Sequence, residues 1–321
     1  MTPAASGGIY DGGMTIVRAC TRHGLGGSPT AVLMDDVTLT DSARRTIVQQ
    51  AGTSHAAFID TGVETAVNVR FFTTSGELTN CGHGTIAAQA VLLELRHTAE
   101  HRGQQRTGGR TFDTTAVRRG DGIEVWFDQG VVELQDCTTT AARRILASLG
   151  IGARDLATDD DLCIASPGTP RLLVPIRSRE TLLSLRPDFD RLAAECRRLG
   201  LLGCFGYVPS VTWDAVAQEI VAQEIVTQEI VTQDAVTQAA VAARMFAPAI
   251  GVGEDIINAN SSGCLAAYLL AKHGTVSVEV EQGDALGHPS SVFATATAVD
   301  GGISTRVGGV AVIHPNSDAS S

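Results

Sequence analysis

Residues His83 to Arg96 (HGTIAAQAVLLELR) limit the possible folds more than any other stretch. Placed on a helix, this segment is apolar nearly all round. A helix without a polar face has to be surrounded by other elements, so the pattern predicts a central, buried helix. Its lead-in also recurs. Arg70-Phe71-Phe72-Thr73 runs through a glycine-bearing turn into that helix, and Arg244-Met245-Phe246-Ala247 runs through another turn into SSGCLAAYLLAKHG. Strand, polar turn and buried helix therefore occur twice. This predicts two similar lobes, each wrapped around one apolar helix, with both helix N-termini aimed at a shared cleft. Free N–H groups and positive potential at a helix N-terminus suit a carboxylate.

The remaining segments fit an α/β chain. TIVRAC and AVLM read as strands flanking a Gly-rich turn, and HAAFID and AVNVRFFT as two more. Asp41 to Gln50 reads as a short amphipathic helix. Arg110 to Leu134 alternates around Gly-Asp-Gly at 120–122 and reads as hairpins. In the second half, RLLVPI and FGYVPSV read as strands, and DFDRLAAECRRLG as a helix closed by Gly200. Residues 1–13 read as a loose tail. Ala215 to Ala243 is a tandem repeat of period five (AVAQE-IVAQE-IVTQE-IVTQD-AVTQA-AVAA). That period puts its Ile-Val pairs on no single helical face. The block reads as a protruding ribbon or helix suited to a partner subunit rather than to chemistry.

Composition narrows the function. The chain has 321 residues and a formal net charge of −11, and no basic run supplies a nucleic-acid footprint. No window holds the eighteen or so apolar residues of a membrane span. The first residues show neither a basic nor an apolar signal region, so the expected compartment is the cytoplasm. Seven cysteines without a CxxC pair argue against a zinc ribbon or a disulfide framework. Lys272 is the sole lysine, which leaves almost no room for Schiff-base chemistry. GxxxxGK[ST], GxSxG and HExxH are absent. A small-molecule carboxylate substrate fits best, with no nucleic acid and no membrane.

Chemistry-bearing residues gather at the two helix starts. At TNCGHGT, His83 is a candidate acid/base or binding group and Cys81 a candidate thiol base, with the amides of Gly82 and Gly84 converging beside them. The same residues also read as a polar cap over a small buried cysteine. At GEDIINANSSG, Asp255 is a candidate acid/base carboxylate, and Asn258, Asn260, Ser261 and Ser262 are candidate donors to a carboxylate. They read equally as a capping cluster. His55, after Ser54 in the TSHAAF turn, is a lone histidine that spacing alone does not assign.

Several segments together resemble the PhzF family of phenazine-biosynthesis isomerase homologues. Gly26-Gly27-Ser28-Pro29-Thr30-Ala31-Val32 resembles GGNPAAV, and TSHAAF stands where the family has Ser-Glu-Thr-Ala-Phe. RFFTTSGELTNCGHGTIAA resembles RWFTPTVEVPLCGHATLAA. RLLVPIRSRETLLSLRPDFDRLA follows the family pattern, and RMFAPAIGVGEDIINANSSGCLAAYL resembles RMFAPxxGxxEDPATGSAAGPLAAYL. EVEQGDALGHPS and TRVGGVAV resemble the closing strands. The match covers most of residues 14–312. It implies the diaminopimelate epimerase fold, with two pseudo-symmetric lobes, each a mostly antiparallel sheet around a buried helix. The lobes would be residues 1–128 and 129–321, the second carrying the repeat at about 214–243. The resemblance further implies a homodimer, no metal and no organic cofactor.

The implied chemistry is relocation of a proton in an unsaturated cyclic acid, with catalytic positions at His83, Asp255 and the family glutamate. Here His55 stands in place of that glutamate, and Asn258, Ala259 and Asn260 replace Thr-Gly-Ser. An ordinary imidazole titrates near neutrality and suits a general base. The change points away from the phenazine precursor and toward a substrate of different charge, such as a pyrroline-type acid of antibiotic metabolism. Two other readings stay open. NCGHGTIA also resembles the proline racemase motif, in which the cysteine is a thiol base. Loss of the glutamate is also compatible with a non-catalytic ligand-binding protein.

Overall fold

The computed structural model describes residues 13–62, 66–209 and 239–313. The first series of elements is β1 (Thr15–Thr21), β2 (Ser28–Met34), α1 (Asp41–Ala51), β3 (His55–Asp60), β4 (Ala66–Phe72), β5 (Glu77–Leu78), α2 (Gly82–Leu95), β6 (Glu100–Thr107), β7 (Arg110–Arg119) and β8 (Gly122–Asp136). The second is α3 (Thr139–Leu149), β9 (Cys163–Ser166), β10 (Arg171–Pro175), α4 (Arg179–Ser184), α5 (Phe189–Leu199), β11 (Cys204–Tyr207), β12 (Ala239–Ala247), β13 (Val252–Asp255), α6 (Ala259–His273), β14 (Ser277–Gln282), β15 (Ser290–Val299) and β16 (Gly302–Ile313). The architecture is mixed α+β. No described helix is long and apolar enough to cross a membrane.

The chain divides into two compact units that are not contiguous in sequence. One holds the described residues up to Asp128 together with Leu286–Val292 and 307–313. The other holds Gln129–Ala285 and Phe293–Arg306. Strands β8, β15 and β16 therefore each contribute to both.

Each unit repeats one topology. In the first, β1–β2 is antiparallel, β2–β3 parallel, β3–β4 antiparallel and β4–β6 parallel. In the second, β9–β10 is antiparallel, β10–β11 parallel, β11–β12 antiparallel and β12–β14 parallel. Parallel neighbours need a crossover, and helices supply it. The β2–β3 crossover carries α1, and the β10–β11 crossover carries α4 and α5. The β4–β6 crossover carries α2, and the β12–β14 crossover carries α6. Each crossover by α2 or α6 is preceded by a short return strand, β5 on β4 and β13 on β12.

The duplicated Arg-x-Phe run has a physical reason. Successive strand residues face opposite sides of a sheet. Phe71 lies against α2, since a Cβ added to Gly84 would meet its ring at 2.8 Å. Phe72 faces the other way and packs with Val48 of α1 and Phe58 of β3. The Arg70 guanidinium covers the Phe72 ring at 4.9 Å and pairs with Glu77 of the return strand. In the second unit, Met245 meets Ser261 of α6, and Phe246 packs into the cluster of α3, α5, β10 and β11. Arg244 covers Phe246 at 4.8 Å and pairs with Glu254 at 2.7 Å.

Both central helices are enclosed. Twelve of the fourteen residues of α2 are buried, Gly82 through Leu93. In α6, Ala259 and Ser261 through Leu269 are buried. The helix over Phe189–Leu199 ends at Gly200 in the left-handed conformation, as its sequence predicts. The hairpins begin earlier than the alternation suggested. β6 and β7 turn through Gly108-Gly109, both at positive φ, as a two-residue loop requires. Of the five-residue repeat, Ala239 to Ala243 form the start of β12, and its earlier part lies outside the described residues.

Candidate active site

The first unit brings three sequence-identified residues together. His55 opens β3, where its backbone carbonyl accepts a hydrogen bond from Thr53 Oγ1 at 2.8 Å and its strand pairs with Thr30 of β2. Ser54 Oγ lies 2.8 Å from His55 Nδ1. Cys81 is the N-cap residue of α2, in extended conformation, and its side chain makes no capping hydrogen bond. His83 sits in the first turn. Its Nε2 lies 3.4 Å from Cys81 Sγ. The rings of His55 and His83 meet edge to face, with centroids 4.5 Å apart and planes at 78°. All three side chains are buried, at 6%, 6% and 3% exposure.

Close packing holds this arrangement. A Cβ at Gly84 would lie 2.8 Å from Phe71 and 3.0 Å from Cys81 Sγ. Glycine thus lets the Phe71 ring reach the helix and the thiol stay beside His83. Gly82 is buried in the same turn. The amides of a first helical turn have no intrahelical acceptors, and with no side-chain cap at Cys81 this end favours an anion.

The second unit uses its helix start differently. Asn258 is the N-cap of α6, and its Oδ1 accepts from Ser261 N at 2.9 Å. Its Nδ2 donates to Asp255 Oδ2 at 3.0 Å, and its backbone N donates to Gln282 Oε1 at 3.0 Å. Ser262 Oγ donates to the Asn258 carbonyl and accepts from Gln282 Nε2, both at 3.1 Å. Ser261 Oγ contacts Met245 Sδ at 3.6 Å and accepts from Arg171 Nη1 at 3.4 Å. The Asn260 carbonyl accepts from Gln129 Nε2 at 2.8 Å, and Gln129 Oε1 accepts from Thr305 Oγ1 at 2.8 Å. The hydroxyls of Ser261 and Ser262 are fully buried and hold the turn together. Asp255, Asn258 and Asn260 are partly exposed.

Sequence reasoning did not single out Gln282, Arg171, Gln129 or Thr305, which shape this turn from distant strands. Their only sequence signal is a polar residue inside an apolar strand. Ser54 was visible beside His55, but its bond to Nδ1 was not. Among the described residues, His55, Cys81 and His83 form a group able to hold a metal, with one donor atom from each within 4.8 Å of the others.

The chain resembles known proteins in sequence and in fold. An uncharacterized isomerase of Clostridium acetobutylicum is 27% identical over 276 residues, covering 83% of this chain and 84% of that one. A predicted epimerase from Pseudomonas aeruginosa has the same fold, with a TM-score of 0.74 at 24% identity over 94% of this chain and 96% of that one. So does a PhzF-family phenazine biosynthesis protein of Bacillus anthracis, with a TM-score of 0.75 at 17% identity and the same coverage. The family model for phenazine biosynthesis-like proteins matches residues 17–316. With its duplicated sheets and enclosed helices, the chain belongs to the PhzC-PhzF family of phenazine biosynthesis-like proteins, a family of isomerases.

Proposed function

We propose that this chain is a cofactor-independent isomerase that moves a proton, and with it the double bonds, of a small unsaturated cyclic amino or imino acid. A pyrroline carboxylate on the way to an alkylproline unit of an antibiotic is the substrate type that suits the site. The observation carrying this reading is the buried edge-to-face pair of His55 and His83 at 4.5 Å, where the family pattern has a glutamate and a histidine. A neutral imidazole accepts a proton from carbon without adding negative charge to the site, unlike a carboxylate. When Ser54 Oγ accepts from His55 Nδ1, the lone pair of that ring lies on Nε2, the tautomer a base requires. The carbanion left behind is delocalised over the conjugated system and the carboxylate. The amides at the start of α2 stabilise that negative charge, by a few kcal/mol per aligned donor. The imidazolium exchanges its proton with solvent and then protonates a different carbon. Asp255 keeps the family's aspartate role as a second proton-handling group, oriented by Asn258 Nδ2.

The test is proton NMR in D2O with a panel of conjugated pyrroline carboxylates and dihydro-hydroxyanthranilate. A shifted double bond with deuterium on a new carbon is expected. His55→Ala should lower turnover by at least about 100-fold, the low end for general-base catalysis. Near-normal turnover in that variant would remove His55 as the base. The Cys81–His83 contact favours a second reading, a racemase using Cys81 as a thiol base. Deuterium at an α-carbon without any bond shift, abolished by Cys81→Ala, would select that reading.

A further inference from the structure

The geometry points to a Zn2+ site of this chain formed by His55, Cys81 and His83, a binding property separate from the proposed turnover. Two imidazoles and a thiolate are a donor set that zinc prefers, and three protein ligands leave its fourth position to water or a substrate oxygen. The distances already approach what the ion needs. With Zn–S near 2.3 Å and Zn–N near 2.05 Å, a tetrahedral centre has an S···N edge of about 3.6 Å and an N···N edge of about 3.3 Å. Cys81 Sγ and His83 Nε2 stand 3.4 Å apart, close to that edge. One donor atom of each of the three residues lies within 4.8 Å of the others, so the widest edge closes by at most about 1.5 Å. A side-chain rotation of either histidine covers that span without moving the backbone.

The surroundings also match a zinc site. The Ser54 hydroxyl on His55 Nδ1 is the kind of outer partner that fixes the tautomer of a ligating imidazole. Cys81 stands at the N-terminus of α2, where the helix favours the negative charge of a thiolate ligand. All three donors are buried, and low solvent content strengthens the ion's bonds to them. His55 is the donor that enters with the departure from the family pattern. Bound zinc would use the imidazole lone pairs that proton abstraction also needs, so zinc and turnover exclude each other.

The experiment titrates Co2+ and then Zn2+ into the purified full chain, reading the thiolate-to-cobalt charge-transfer band and the visible d–d bands. One equivalent of Co2+ should give both, with tetrahedral intensity, and Zn2+ should displace it with a Kd on the order of 1 µM or below. Cys81→Ser should abolish the charge-transfer band while circular dichroism stays native. His55→Ala should weaken zinc binding by more than about 100-fold, and Ser54→Ala by about tenfold, as loss of an outer partner does. Absence of the charge-transfer band in the wild type would overturn the inference. So would its persistence in Cys81→Ser, which would place the metal on another cysteine. These readouts need no substrate. If the NMR panel is silent while cobalt binds as described, the proposed substrate class fails and the metal site stands.

Discussion

Replacing Gly84 by alanine sets two magnitudes of opposite sign against each other. Helix propensity alone makes Gly84→Ala stabilising, by at most the roughly 1 kcal/mol of an interior helical position, since Gly84 lies in the first turn. The structure opposes this. The new methyl would lie 2.8 Å from Phe71 Cδ1 and Cε1 and 3.0 Å from Cys81 Sγ. Ordinary contacts stand at about 3.5–4.0 Å, so the overlap is roughly 0.7 Å or more against Phe71 and about 0.5 Å or more against Cys81. Neither neighbour yields easily. Phe71 is fully buried and its strand is paired on both sides, to Ala57 and to Leu78. Overpacking of this kind costs about 1–3 kcal/mol. At its upper range that outweighs the propensity gain. The expected net loss is about 1–2 kcal/mol, and Tm falls by roughly 2–8 °C. Because Cys81 Sγ has to move, its contact with His83 opens and turnover falls more than stability does. Urea unfolding and thermal melting read the first effect, and the NMR assay reads the second. Phe71→Leu in the Gly84→Ala background should recover part of the loss, as a coupled pair in contact does. If Gly84→Ala alone is more stable than the wild type, propensity has won and the packing argument is refuted.

Two further outcomes concern the second unit. Glu254→Gln leaves the buried Arg244 guanidinium without its counter-charge and should destabilise by about 3–5 kcal/mol, while Arg244→Met with Glu254→Leu should recover much of this in urea unfolding. Burial pushes the Cys163 thiol up to about 11 and the Tyr268 phenol up to about 12, from ordinary values of 9.0 and 10.0. The fold therefore holds both neutral forms more tightly than the unfolded chain does. Their stabilisation is full below pH 9 and is lost as pH rises through 11 and 12. The urea midpoint should fall across that window, and Cys163→Ala should flatten its lower part.

What the sequence made legible follows from which interactions are local. The enclosed helices were readable because an apolar run with helical spacing has one solution, burial on all sides. The duplication was readable because Arg70-Phe71-Phe72 and Arg244-Met245-Phe246 each perform three tasks set by strand alternation. The polar strand β6, EHRGQQRT, was not readable. Its residues alternate between exposed and covered, with the polar Gln105 and Thr107 buried, and only pairing with β7 and β4 makes it a strand. The site divides in the same way. Cys81 and His83 are two residues apart on one helix start, so their meeting was implied. The approach of His55 was carried only by the family resemblance, because it depends on the pairing of β2 with β3. The network behind Asn258 depends on Gln282, Gln129 and Arg171, at sequence distances that no local pattern encodes.

The two helix starts share a scaffold and differ in what their polar atoms do, and Asn258 tests the difference. At α2 the N-cap residue Cys81 makes no side-chain capping bond, whereas at α6 Asn258 caps Ser261 N and donates to Asp255. Asn258→Asp keeps the cap, since aspartate and asparagine serve equally well there. It replaces a donor 3.0 Å from Asp255 Oδ2 with a carboxylate oxygen. Two full charges at that distance repel by about 5 kcal/mol at an effective dielectric of 20, so the pair has to share one proton. A carboxyl that holds its proton more tightly in the folded state stabilises fully below its unfolded value. It loses that contribution as pH rises through the folded one. The variant should therefore match the wild type near pH 4 and weaken progressively toward neutrality, whereas Asn258→Ala should lose a roughly pH-independent 1–2 kcal/mol from the missing cap. Turnover in Asn258→Asp should fall with the same pH dependence if Asp255 handles a proton, because its carboxylate is then no longer held by an N–H donor. A stability difference that does not change between pH 4 and pH 8 would show that Asn258 Nδ2 does not face Asp255, and the orientation assigned to that aspartate would be wrong.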